Sequence, residues 1–259
     1  MKFLVANDDG IFAPGIKMLA ETLAPFGTVA VVGPTEEQSG MGHAITVHRP
    51  LRVQAVDVIP QSAKSFTVDG TPAYCVKMAV QGLGLTPDIV MAGINLGSNL
   101  GTDVLYSGTV SAAMEGVILG IRAIAVSLCG PQTYLSTAGH YVRKILLEDP
   151  GILNQPNLVP QDGLLNINIP AVPIEEVKGI RVTRLGVRKY ENLFEKRVDP
   201  RGNTYFWMGG KPQLTESSDL DIDIVAVEQG YVSITPIQFD LTYHSLVDEL
   251  QTVLNKEYI

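Results

Sequence analysis

Short runs rich in Val, Ile, Ala and Leu recur along the first half of the chain, at Phe3 to Ala6, Thr28 to Val32, Asp88 to Ala92 and Ala123 to Leu128. Apolar and polar positions do not alternate within them, which suits parallel strands covered by helices on both faces. Between the runs the period changes. Gly15 to Pro25 places Ile16, Leu19, Ala20 and Leu23 on one helical stripe. Thr71-Pro72 opens a second helix, with a hydroxyl to cap it and a proline at its first position. A third, rich in small residues, runs from Thr109 or Val110 to Gly120.

Alternating strand and helix signals over residues 1–130 predict an α/β fold, a Rossmann-like doubly wound and mostly parallel sheet. Ligands of such sheets bind beyond the carboxyl ends of the strands, so the loops that follow each apolar run are where chemistry is expected. Past residue 130 the pattern changes. Leu164 to Ile169 reads as another strand, while Gly179 to Leu185 and Thr204 to Met208 flank an Asp199-Pro200-Arg201-Gly202-Asn203 turn and predict a long β-hairpin. Tyr231 to Thr235 and an amphipathic helix from about Phe239 to Leu254 complete the chain. A single domain over 1–259 is expected, with the core in 1–130 and the rest completing it and adding the hairpin extension and terminal helix.

Composition narrows the class. With 46% hydrophobic and 18% charged residues in 259, the chain can bury a large core and is not a disordered segment. Two cysteines, Cys75 and Cys129, are too few for a disulfide-stapled module and lack metal-ligand spacing. The N-terminal apolar run is cut short by two carboxylates, so neither a signal peptide nor a membrane span fits, and a cytoplasmic protein is expected. A formal charge of −8, from 19 Lys+Arg and 27 Asp+Glu, argues against nucleic-acid polymers as partners. Charge is also unevenly placed. Segment 178–211 holds nine Lys/Arg against three Asp/Glu, and 216–249 holds eight Asp/Glu with no Lys or Arg. These blocks can pair within a subunit, pair between subunits, or form two solvated faces.

Four loops carry candidate chemistry. Asn7-Asp8-Asp9-Gly10 follows the first strand directly. Neighbouring residues of a strand point to opposite faces, so Asp8 and Asp9 converge only if the chain turns, which Gly10 permits. Converging carboxylates repel unless a divalent cation is shared between them, and oxygen ligands suit Mg²⁺ or Mn²⁺. A solvated turn of capping acids is the alternative. The loop after the second strand contains Ser39-Gly40-Met41-Gly42-His43, where a hydroxyl and free amides can face the same cleft, or Ser39 can satisfy a turn.

After the third strand, Gly93-Ile94-Asn95-Leu96-Gly97-Ser98-Asn99 has neither dinucleotide nor P-loop glycine spacing but offers amide oxygens from Asn95 and Asn99. Tyr106-Ser107-Gly108-Thr109 leads into a helix whose N-terminal amides and hydroxyls form a phosphate or oxyanion cradle compatible with ordinary capping. No Gly-x-Ser-x-Gly elbow or His-Glu-x-x-His helix occurs, Asp-x-Asp is absent after the first strand, and His43, His48, His140 and His244 are too scattered for a zinc site.

Taken in order, Asn7-Asp8-Asp9-Gly10, Pro34 through Ser39-Gly40, Asp69-Gly70-Thr71-Pro72-Ala73, Gly93 through Gly97 and Tyr106 through Val110 resemble the motifs of the SurE survival-protein family of metal-dependent 5′/3′-nucleotidases, and the match is strongest over 1–130. The resemblance implies one Mg²⁺ or Mn²⁺ per subunit held by Asp8, Asp9, Ser39 and Asn95, with Asp8, Asp9 and Asn95 also catalytic. It implies hydrolysis of nucleoside monophosphates, in some members of short polyphosphate, and a homodimer or homotetramer built through the C-terminal half. Ser107, Gly108 and Thr109 are expected to bind the phosphate, and Asp8 to orient or deprotonate the attacking water. Tyr74 departs from the polar residue many relatives carry after the Asp-Gly-Thr-Pro-Ala motif. A competing reading is a non-catalytic nucleotide- or metal-sensing module on the same sheet.

Overall fold

A computed structural model describes residues 1–60, 64–148, 151–155, 157–191, 194–213 and 217–257. The chain runs β1 (Lys2–Ala6), α1 (Pro14–Leu23), β2 (Thr28–Pro34), β3 (Val53–Ala55), β4 (Lys64–Val68), α2 (Pro72–Lys77), β5 (Ile89–Leu96), α3 (Gly108–Ile118), β6 (Arg122–Cys129), α4 (Leu135–Val142), β7 (Gly163–Pro170), β8 (Ile180–Val182), β9 (Tyr190–Glu191), β10 (Phe194–Val198), β11 (Thr204–Met208), β12 (Lys211–Pro212), α5 (Asp223–Glu228), β13 (Val232–Gln238) and α6 (His244–Glu257).

Nine strands form one sheet in the order β3-β4-β2-β1-β5-β6-β7-β13-β8. Pairing from β4 through β7 is parallel throughout, whereas β3 against β4 and β13 against β7 are antiparallel. This is the expected mostly parallel α/β sheet. The apolar runs lie in its middle because both faces of each strand are covered. Phe3 and Val5 of β1 pack with Leu19 and Leu23 of α1 and Ala138 and Val142 of α4, while Leu4 and Ala6 pack on the opposite face with Val76 of α2 and Val110, Ala113 and Val117 of α3. Fully burying one such Leu or Val side chain contributes ~1.5–3 kcal/mol.

Thr71 caps α2 as its sequence suggests, accepting from the Tyr74 amide at 3.4 Å. The third predicted helix starts slightly earlier, at Gly108, because Ser107 supplies the cap and accepts from the Val110 amide at 3.0 Å. Strand order reverses beside β1, with β2 on one side and β5 on the other. In this architecture the crevice at such a point is the ligand site.

The extension corrects two expectations. Gly179–Leu185 is not an arm of the hairpin. Only Ile180–Val182 of it is a strand, and that strand joins the main sheet in parallel with β13. The hairpin instead pairs β10 with β11, register Val198↔Thr204 through Phe194↔Met208. Its turn is the predicted one. The Asp199 amide donates to the Asn203 carbonyl at 2.9 Å, and the Asp199 carboxylate accepts from the Arg201 and Asn203 amides at 2.8 Å each. A turn closed this tightly makes Val198 the last residue of the incoming arm, so the arm must be the exposed 194–198 segment.

The terminal helix begins at His244 rather than near Phe239. Asp240 folds the preceding chain into a turn, accepting from the Thr242 amide at 2.8 Å and pairing with His244 Nε2 at 2.7 Å. Between the oppositely charged blocks, Arg184 and Asp219 pair within the chain at 2.6 Å. Both cysteines are unbridged, Cys75 buried and Cys129 half-buried, as expected.

Candidate active site

The Asn-Asp-Asp-Gly segment leaves the carboxyl end of β1 and turns at once. Asn7 is buried and its Nδ2 donates to the Gly10 carbonyl at 2.8 Å, while Gly10 itself takes φ 103°, a conformation side-chain-bearing residues rarely adopt. The Ile11 amide then donates to the Pro34 carbonyl at 3.0 Å, tying this turn to the end of β2. The turn brings both carboxylates to the crevice.

Asp8 is buried at the foot of α3. Its Oδ1 accepts a short hydrogen bond from Thr109 Oγ1, and its backbone carbonyl accepts from the Gln38 amide at 2.8 Å. Asp9 Oδ2 accepts from the Leu96 amide at 3.3 Å. One turn is thereby fastened to three other loops, those after β2 and β5 and the one entering α3. A fifth contact closes the ring, because the Gly42 amide donates to the Tyr106 carbonyl at 2.9 Å.

Gly108 explains how Asp8 fits against the helix. A Cβ placed there would lie 2.7 Å from Asp8 Cβ and 2.8 Å from Asp8 Oδ2, closer than packed atoms approach. The first helical position must therefore lack a side chain. Asn95 is aimed by a break in the sheet, since the β5–β6 register shifts between Ala92 and Asn95. Such irregularities turn a side chain out of its regular face. Asn95 Nδ2 donates to the Gly97 carbonyl at 2.8 Å, which turns Oδ1 the other way.

Asn99, the other amide weighed from sequence, belongs to a different structure. It is buried, with its Nδ2 on Ser127 Oγ at 2.7 Å and its carbonyl accepting from Asn166 and Asn168 at 2.8 and 3.0 Å. It braces the loop from behind.

The electrostatics follow from burial. Desolvation pushes the Asp8 carboxyl up to about 6, the Thr109 hydrogen bond opposing and the Asp9 charge adding to it. Asp9 is raised as well, first by burial and then by the charge of Glu37, against the Leu96 amide. Two neighbouring carboxylates strained toward protonation are what a cation would relieve. The residues expected to hold a cation, Asp8, Asp9, Ser39 and Asn95, would offer two carboxylates, a hydroxyl and an amide oxygen, a hard oxygen chemistry that suits Mg²⁺ or Mn²⁺. Among the described residues no three His, Cys, Asp or Glu side chains cluster for a metal.

Two features escaped the sequence reading. Glu37 accepts from Ser39 Oγ at 2.7 Å and so holds that hydroxyl, while its charge acts on Asp9. The only hint was an acid two residues before Ser39. Secondly, buried Glu115 of α3 pairs with His43 Nε2 and Lys77 Nζ, each at 2.8 Å, stapling the Ser39-bearing loop and α2 to the helix. Burial alone would raise the Glu115 carboxyl, but the His43 and Lys77 hydrogen bonds outweigh it and hold the group below its ordinary range. Seventy-two residues separate His43 from Glu115, so no local pattern joins them.

Known proteins share this framework. The family model described as "Survival protein SurE" matches residues 3–192. A protein named 5′-nucleotidase SurE from Carboxydothermus hydrogenoformans is 50% identical over 259 residues, 97% of this chain and 96% of the relative. Another of that name, from Natranaerobius thermophilus, is 47% identical over 260 residues, 96% of this chain and 97% of the relative. The crystal structure of the SurE protein from Aquifex aeolicus superposes with a TM-score of 0.79 at 39% identity, covering 98% of this chain and 99% of that one. With its motifs, its fold and nearly its whole length shared with these proteins, the chain belongs to the SurE family.

Proposed function

We propose that this protein is a metal-dependent phosphomonoesterase that hydrolyses nucleoside 5′-monophosphates to nucleoside and phosphate, with 3′-monophosphates and short polyphosphate as further substrates to assay. The name shared by its relatives, 5′-nucleotidase SurE, supports the reaction class. The single observation that carries the reading is the adjacent pair of buried Asp8 and half-buried Asp9 at the end of β1, with Asp8 set against the N-terminus of α3. A phosphomonoester carries a charge of roughly −1.5 to −2 near neutral pH. Two carboxylates alone would repel it, whereas the helix amides beside them would hold it.

In this reading Asp8, Asp9, Ser39 and Asn95 hold one Mg²⁺ or Mn²⁺ per subunit. Bound there, the ion supplies a Lewis acid that offsets both carboxylates and polarises a phosphoryl oxygen. The chain does the rest. Amides of Ser107, Gly108 and Thr109 bind and orient the phosphoryl oxygens. Thr109 fixes Asp8 Oδ1 by its hydrogen bond. Asp8, held in place by Thr109, is assigned to orient or deprotonate the attacking water. Asp9 and Asn95 complete the catalytic set.

Assembly into a homodimer or homotetramer through the hairpin and α6 belongs to the same proposal, supported by the apolar surface those elements expose. No helix among the described residues is long and apolar enough to cross a membrane, and the reading keeps the cytoplasmic setting expected from sequence.

Phosphate release from AMP and GMP, with and without EDTA, tests the proposal. Release that EDTA abolishes is expected, and release indifferent to EDTA contradicts the metal role. Binding of AMP with no phosphate released in a single-turnover assay at excess enzyme would favour the sensing module instead.

A further inference from the structure

The Asp69-Gly70-Thr71-Pro72 motif has no part in the metal centre, yet it lies beside a cavity of about 410 Å³ at the carboxyl ends of β2 and β4. Asp69, Arg49, Arg52, Gln54, Glu36 and Gln38 are in its wall. This is the same end of the sheet as Asp8 and Asp9. Gln38 joins the two sites directly, lining the cavity while its amide holds the Asp8 carbonyl. Ser39 is the next residue, so the cavity wall and the metal centre occupy consecutive Cα positions about 3.8 Å apart.

The wall's charge decides what it can hold. Arg49 pairs with Asp69 at 2.5 Å and Arg52 lies 3.7 Å from the same carboxylate, so two guanidinium groups face two carboxylates, Asp69 and Glu36. Their formal charges cancel. A pocket for a second phosphate or a polyphosphate chain would need a net positive wall, whereas this one is neutral and dense in directional hydrogen-bonding groups. A nucleoside matches it. Arg guanidinium planes stack on bases, Gln amides pair with base edges, and a carboxylate accepts from ribose hydroxyls.

From this geometry we infer that the cavity bounded by Arg52, Gln54, Gln38 and Asp69 is the nucleoside-recognition pocket, seating base and ribose while the phosphate lies at Asp8, Asp9 and the α3 N-terminus. The inference rests on the nucleotidase reading and adds to it the residues that separate nucleotides from other phosphomonoesters. Arg52 and Gln54 stand on or beside the edge strand β3 and are exposed, so replacing them leaves the core intact.

The test measures equilibrium binding of adenosine, which has no phosphate to hydrolyse, to the full-length protein by calorimetry. Wild type is compared with Arg52→Ala and Gln54→Ala, with tripolyphosphate titrated in parallel. Adenosine affinity should fall about tenfold or more in each variant while tripolyphosphate affinity stays within about twofold, since a site built around hydrogen bonds and stacking loses most when those partners go. The ratio of kcat/KM for AMP to that for p-nitrophenyl phosphate should fall in step. Unchanged adenosine affinity in both variants overturns the pocket, as does a loss confined to tripolyphosphate, which would make it a phosphate-chain site. Wild type that binds adenosine through these residues but releases no phosphate from AMP would uphold the pocket and refute the nucleotidase reading.

Discussion

The sheet around β1 and the extension made of the hairpin and α6 treat their apolar residues in opposite ways. Within β1 every apolar side chain from Phe3 to Ala6 is inside, Phe3 and Leu4 on opposite faces, and buried Asn7, Asp8, Ser107 and Thr109 lie at the strand ends where the crevice opens. In the extension the large apolar groups are outside. Trp207 is 59% and Met208 73% exposed on the hairpin, and Leu246, Leu250 and Leu254 form an exposed row at four-residue spacing along α6. Isolated exposed residues need no explanation, but contiguous rows of this kind are what a docking surface presents. The core thus positions chemistry, and the extension offers the apolar surface on which the proposed assembly with a second copy rests.

This contrast can be broken at either end. The largest effect is expected in the core from Asp9→Asn, which should lower phosphate release from AMP by at least about a hundredfold, more than loss of a group that merely orients a ligand. A folded variant turning over at wild-type rate under limiting metal would contradict its role. Gly108→Ala should cost about a hundredfold, because the added methyl would meet Asp8 at 2.7 Å and misplacements near an ångström have effects of that order. Helix propensity favours the alanine, so circular dichroism should be unchanged. Activity within twofold of wild type would show that Asp8 does not depend on this packing.

Glu115→Gln removes the charge that His43 and Lys77 share, and should lower stability by ~2 kcal/mol at neutral pH in denaturant titration. The sign with pH is fixed by the lowered carboxyl. Its contribution is complete above the ordinary value of 4.5 and is lost as pH falls through the lower folded value, so the gap between variant and wild type should close in acid. A gap that stays constant down to pH 3 would place the effect elsewhere.

The smallest effect on the chain itself belongs to the extension. Trp207→Ser should change stability of the isolated chain by no more than ~0.5 kcal/mol, as exposed substitutions do, yet shift the species seen by light scattering toward the monomer. An unchanged oligomer would remove the hairpin from the interface.

What could be seen in the sequence follows the same division. Strands buried on both faces announce themselves as unbroken apolar runs, so β1, β2, β5, β6 and β7 were legible, with ends shifted by a residue or a few. Toward the sheet edge the signal fades, as in Lys64–Val68, where Lys, Ser and Thr share the strand with Phe and Val. Helix α4 was missed because Leu-Ser-Thr-Ala-Gly-His-Tyr-Val buries Thr137, Ala138 and Gly139, small residues that leave little apolar stripe. The hairpin's turn was legible from Asp199 to Asn203, but its incoming arm Phe-Glu-Lys-Arg-Val carries too much charge to read as a strand. At the site, Asp8, Asp9 and Asn95 are candidates from their place at strand ends, whereas Ser39 and the four as one set rest on the family resemblance. The support given by Glu37 and Glu115 did not stand out, since those bonds are made by side-chain geometry and by contacts far apart in sequence.

Hydrolysis should depend on one cation held where the four loops are fastened around Asp8 and Asp9. Titrating Mn²⁺ into chelator-stripped protein while following phosphate release from AMP tests it most directly. Activity should be absent before addition, rise to a plateau at one equivalent per chain, and fail to return in Asp9→Asn. Full activity in the stripped protein, or equal restoration of Asp9→Asn at the same stoichiometry, would contradict the account.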